Sequence, residues 1–146
     1  MKHAILATGA VIHAVTSIPS HAAETAELRE TSRRVFEREL PNVSGKSLIA
    51  VEVLYPPGTK IPSHTHPGSA FIYAYVLSGE VLSAIDDEKP RLYRAGESWY
   101  EVPGAHHRVA RNASKTEPAK LLAIFVSDSN ERQVVFSDAN GAALRR

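Results

Sequence analysis

An all-β barrel or sandwich is the fold class this sequence predicts, and three observations carry it. Short runs rich in β-branched and aromatic residues recur through the middle of the chain. Gly, Pro, Asp and Asn punctuate them at frequent intervals, and no stretch between residues 32 and 127 sustains a helical period. The 146 residues suffice for one domain with a real core and are too few for two ordinary ones.

Taken in order, "RRVFEREL" (33–40) mixes apolar and charged residues as a short edge strand does, and "PNVSG" is a turn cluster. "KSLIAVEVLY" (Lys46–Tyr55) reads as a strand closed by "PPG". "SAFIYAYVLSG" and "EVLSAID" flank a bend at Ser78-Gly79 that joins two strands. After the turn "DDEKP" come the short segments "RLYRAG", "ESWYEVPG" and "HHRVARN", then "AKLLAIFVSD". The tail "NERQVVFSDANGAALRR" is either a last strand or an arm over a partner. These elements predict one domain over residues 23–146 with a barrel core at about 46–127.

The first 22 residues form a separate object. "MKHAILATGAVIHAVTSIPSHA" opens with one lysine, continues through a small and apolar run from Ala4 to Ile18, and ends in Ser20-His21-Ala22. The first acid of the chain is Glu24. This is the layout of a secretory signal peptide, too short in its apolar run to span a bilayer comfortably. The expectation is a periplasmic or secreted protein with no membrane contact after cleavage. An apolar content of 43% with 23% charged residues fits a soluble globular chain. A formal net charge of +1, with no basic cluster interleaved with aromatics, gives no reason to expect nucleic acid. The sequence has no cysteine, so any metal takes nitrogen and oxygen ligands.

Of seven histidines, His3, His13 and His21 lie in the leader; the other four fall as His64/His66 and His106/His107. Residues i and i+2 of a strand share a face, so His64 and His66 offer two imidazoles to one point, and a third from a neighbouring strand completes a facial set. Imidazole suits Fe, Mn, Ni, Cu and Zn alike. An isolated H-x-H is a weak signal, equally readable as two polar residues at the start of a strand.

The surrounding glycine and proline spacing resembles the cupin superfamily, jelly-roll barrels built as a double-stranded β-helix. Its first motif runs G-x5-H-x-H-x3,4-E-x6-G, and Gly58, His64, His66 and Gly79 are similar to it. Its second runs G-x5-P-x-G-x2-H-x3-N, and "GESWYEVPGAHHRVARN" (Gly96–Asn112) resembles that. The likeness extends over most of residues 46–127 and looks closest to the small single-domain, quercetin-dioxygenase-like members. Three departures stand out. Twelve residues, one more than the pattern allows, separate His66 from Gly79. They include no carboxylate: Ile72, counting back from Gly79, or Ala70 or Phe71, counting forward from His66, holds the glutamate's place. Pro103 and Asn112 each fall one residue late, yet the Gly96-to-His107 distance matches, which favours His107 over His106 as third ligand.

The resemblance therefore implies a divalent transition metal on His64, His66 and His107, a small-molecule substrate or ligand, and a homodimer touching through the strand near Arg33–Leu40 and the tail. Glu101 is the nearest replacement carboxylate by sequence. It either faces the site, as a candidate catalytic base, or points outward to a lysine or arginine. Tyr73 and Tyr75, on one strand face with Phe71, either orient substrate or pack the barrel, and Trp99 has the same ambiguity. The functional expectation is a metal-dependent, dioxygenase-type oxidoreductase; the alternative is a binding module without turnover. A metal-free epimerase-type barrel is a weaker third reading, because paired histidines favour coordination.

Overall fold

Period-two alternation of apolar and polar residues builds eleven strands in the computed structural model, which describes residues 30–138. They are β1 (Thr31–Glu39), β2 (Lys46–Tyr55), β3 (Lys60–Ile61), β4 (His64–Thr65), β5 (Phe71–Ser78) and β6 (Glu80–Ile85). β7 (Arg91–Arg94), β8 (Ser98–Glu101), β9 (His106–Asn112), β10 (Ala119–Asp128) and β11 (Phe136–Ser137) follow. The leader expected over residues 1–22 lies outside the described residues.

The strands form two antiparallel sheets, β1-β2-β10-β5-β8 and β11-β4-β9-β6-β7, with β3 pairing β9 beside β4. This is the all-β jelly roll the sequence predicts. The segment 33–40 is an edge strand as expected, and all nine residues of β1 are exposed. The tail supplies the last strand, since β11 pairs β4.

Alternation sets what lies between the sheets. β10 is buried at every second residue along its whole length, placing Leu121, Ala123 and Phe125 inside. β2 contributes Ile49, Val53 and Tyr55, and β5 contributes Ile72, Ala74 and Val76. Each large side chain removed from water contributes roughly 1.5–3 kcal/mol before entropy is counted. The core divides into a larger cluster around Tyr55, Val76, Tyr93 and Trp99 and a smaller one around Ile49, Ile72 and Phe125.

Two residues of the predicted motifs have structural reasons. Gly79 takes the chain from β5 in one sheet to β6 in the other, at a φ of 74°. A Cβ there would lie 2.5 Å from the Pro118 carbonyl oxygen and 2.7 Å from Ala119 Cα, so only hydrogen fits. Asn112, buried at the end of β9, donates from Nδ2 to the carbonyls of Tyr55, Pro56 and Glu117 and accepts the Ser114 N–H at Oδ1. It ties the end of β2 to the start of β10, one barrel rim to another.

Candidate metal centre

β4 is short because Pro62 and Pro67 bracket it, yet it fixes two imidazoles. His64 sits directly opposite His107 of β9 in the antiparallel register. His66, two residues on, keeps the same face and is held by its N–H donating to the Ala105 carbonyl at 3.0 Å. The three side chains converge, with one ring nitrogen of each within 4.8 Å of the others, and each residue is 5% exposed. His106 turns the other way, half-buried, and its Nε2 meets Ser63 Oγ at 2.7 Å and Asp138 Oδ2 at 2.8 Å.

Neighbouring groups set the ring orientations. His64 Nδ1 is 3.0 Å from the Pro62 carbonyl and His66 Nδ1 is 2.7 Å from the Val134 carbonyl. A carbonyl only accepts, so both Nδ1 atoms carry hydrogen, and in the neutral rings both Nε2 atoms keep lone pairs. His107 Nε2 pairs with Ser83 Oγ at 2.9 Å, and its Nδ1 lies 3.4 Å from Glu101 Oε1. Burial pushes His64 below the usual imidazole range against the opposing Pro62 carbonyl, and pushes His107 down to about 4. Near pH 7 both are neutral, the protonation state that binds metal.

Glu101 faces this group and is 3% exposed. Trp99, buried beside it, donates its indole N–H to Oε1 at 3.0 Å. Oε2 lies 3.1 Å from His66 Nε2 and has no hydrogen-bond partner among the described residues. Burial pushes the carboxyl up; positive charge on His66 and His107, when those rings carry it, and the Trp99 N–H pull it below the ordinary range. With the His66 hydrogen on Nδ1, an ionised oxygen and an imidazole lone pair would repel each other at that distance. A positive charge between them, a proton or a metal ion, removes the conflict. The donor set of three imidazoles and an ionised oxygen thus fits a divalent transition ion.

The centre opens on a cavity of about 250 Å³, walled by Val51, Val53, Tyr55, Ile72, Leu121 and Phe125 among others, with Ser32 and Arg34 of β1 also lining it. Tyr73 and Tyr75, for which one sequence reading was substrate orientation, do not line this cavity. β5 turns Ile72, Ala74 and Val76 inward, so Phe71, Tyr73 and Tyr75 lie on the outer face, and Tyr73 is 41% exposed. Trp99 is the aromatic of that ambiguous set that does reach the site. Sequence reasoning missed Tyr55, Ser83, Phe125 and the Val134 carbonyl. The alternation of β2 and β10 would have marked Tyr55 and Phe125 as inward. Nothing in the sequence signals that the Val134 carbonyl orients His66.

The family model described as "Cupin domain" matches residues 51–125. No curated protein matches the sequence significantly. Among solved structures, TT1209 from Thermus thermophilus is 28% identical, with 68% of this chain and 84% of that one covered and a TM-score of 0.54. A Klebsiella pneumoniae protein with a double-stranded β-helix domain is 22% identical, covering 77% and 88%, with a TM-score of 0.59. The DMSP lyase DddQ from Ruegeria pomeroyi DSS-3 is also 22% identical at a TM-score of 0.59; 75% of this chain covers 51% of the lyase, about half its length.

Proposed function

The chain belongs to the cupin domain family, and from that premise we propose that it is a metal-dependent enzyme of the dioxygenase type acting on a small organic molecule. The observation that carries this reading is the convergence of three buried imidazoles and an inward carboxylate at the end of an apolar cavity. His64, His66 and His107 would hold a divalent Fe, Mn, Ni, Cu or Zn ion. Such an ion, when bound, supplies Lewis-acid or redox chemistry.

The chain's own residues do the rest. The apolar walls exclude water and accept the carbon skeleton of a small molecule. Glu101, ionised and aimed inward, is the group to take a proton at Oε2 from an enol, diol or thiol. Trp99 keeps its other oxygen occupied, and Ser83 and the Pro62 and Val134 carbonyls keep the imidazoles from turning. A similar fold serves a lyase in Ruegeria pomeroyi, so fold alone does not choose the reaction.

A second reading, a small-ligand- or metal-binding module without turnover, is favoured by the departure at Ile72, which replaces the expected carboxylate. An oxygen-electrode screen separates the two. The protein is loaded anaerobically with Fe(II) and offered enol, diol and thiol compounds beside His64→Ala/His66→Ala. Oxygen uptake lost in the double variant supports the enzyme; stoichiometric iron without uptake across the panel supports the binding module.

The reading extends to the leader and to a homodimer. Cleavage after residue 22, checked by mass measurement of the protein from a periplasmic extract, would make it an exported protein. The fully exposed β1, an edge strand with one side unpaired among the described residues, supports a dimer contact. Light scattering coupled to gel filtration reads the oligomer directly.

A further inference from the structure

We propose that Glu101 Oε2 is a fourth metal ligand, supplied by β8 in place of the carboxylate missing from β5, with Trp99 as the residue that positions it. The inference rests on the metal-centre reading above and specifies the resting protein, before any substrate displaces Oε2 and lets it accept a proton.

Register makes the substitution possible. Ile72, the residue in the vacant glutamate position when counted back from Gly79, is the direct cross-strand partner of Glu101. Directly opposed residues of an antiparallel pair have Cβ atoms about 4.5–5.5 Å apart and point to the same face. A carboxylate moved from Ile72 to its partner therefore stays at the same level of the barrel, one strand over, and still points inward. The pleat permits this only at positions in phase with Ile72. Trp99, also in phase, lies within the same face of β8, whereas Tyr100 points out and is exposed.

The two oxygens of Glu101 are treated differently by their surroundings. Oε1 accepts the Trp99 N–H at 3.0 Å. Oε2, equally buried, accepts nothing among the described residues and lies 3.1 Å from His66 Nε2, whose ring hydrogen is engaged at Nδ1 by Val134. A buried carboxylate oxygen left bare is costly, so a partner is required where two lone pairs point together. The indole N–H also selects which oxygen is offered, because the engaged one is held back from the imidazoles.

Co(II) serves as the probe, titrated into metal-stripped full-length wild type, Glu101→Gln and Trp99→Phe. Visible absorption reports the coordination number and ligand set. In wild type and Glu101→Gln, the fluorescence of Trp99, the sole tryptophan, gives affinity independently. Glu101→Gln is expected to weaken Co(II) by at least roughly tenfold and to change the ligand-field bands. Trp99→Phe is expected to retain the wild-type bands with a smaller loss. Thermal melts of the metal-stripped proteins show that each variant is folded.

Unchanged bands and affinity in Glu101→Gln would overturn the fourth ligand while leaving the three-histidine centre standing, and would assign Glu101 to a proton-bridged pair with His66. Failure of the wild type to bind Co(II) would overturn both.

Discussion

His106 and His107 are neighbours on β9 with the same side chain, and the barrel treats them oppositely. His107 is 5% exposed, opposite His64 and backed by Ser83. His106 stands at the rim, joined to Ser63 and Asp138. The difference is one step of the pleat. It teaches that membership of the candidate centre is a property of the strand face, and that residue type and adjacency in sequence do not confer it.

The largest test of that contrast is substitution of each. His107→Ala is expected to lose metal affinity by more than the roughly 10–100-fold that outer-shell changes cost, whereas His106→Ala keeps it; isothermal titration with Zn(II) measures both. If His106→Ala loses metal as completely, the face argument is wrong. A step smaller, Ser83→Ala removes the side-chain partner of His107 Nε2 and should weaken Zn(II) by about 10–100-fold with the fold intact.

Acid sharpens the same contrast without metal. The buried His107 has its pKa lowered to about 4 and that of His64 is lowered too, so the unfolded chain, at the ordinary imidazole value, binds more protons. Stability from these groups is present above the unfolded imidazole pKa and is lost as pH falls from about 6.5 toward 4. Glu101, lowered on folding, adds loss of the same sign as pH falls through its own folded value. The metal-stripped protein should therefore melt at progressively lower temperature from about pH 7 to about pH 4, followed by circular dichroism. His107→Leu should flatten that slope and His106→Leu should not. The smallest effect belongs to the outer face of β5: Tyr73→Phe and Tyr75→Phe are expected to stay within about 0.5 kcal/mol of wild type in urea melts, with metal binding unchanged.

What sequence alone disclosed follows the same physics. Strand pattern and turn residues disclosed an all-β barrel or sandwich, since period-two alternation and turn glycines such as Gly79 and Gly96 are local signals, and the motif resemblance narrowed it to a jelly roll. His64 and His66 were legible because i and i+2 spacing is local as well, and His107 was implied by the resemblance, whose Gly-to-His distance it matches from Gly96. The face taken by Tyr73 and Tyr75 was left open, because both alternating sets of β5 are apolar or aromatic, whereas the outer sets of β2 and β10 carry charges such as Glu52 and Lys120. Ile72 and Ala74, smaller and apolar, took the inside of β5. The environment of Glu101 was illegible for a different reason: its partners Ile72, His66 and Trp99 come together through a register that only the fold sets.

Metal content by mass spectrometry tests the central claim most directly, on untagged mature wild type and the His64→Ala/His66→Ala double variant purified side by side without added metal. Near-stoichiometric Fe, Mn, Ni, Cu or Zn is expected in the wild type, and its loss in the variant. An absence of metal from both, persisting after anaerobic reconstitution, would contradict it and leave a ligand-binding barrel.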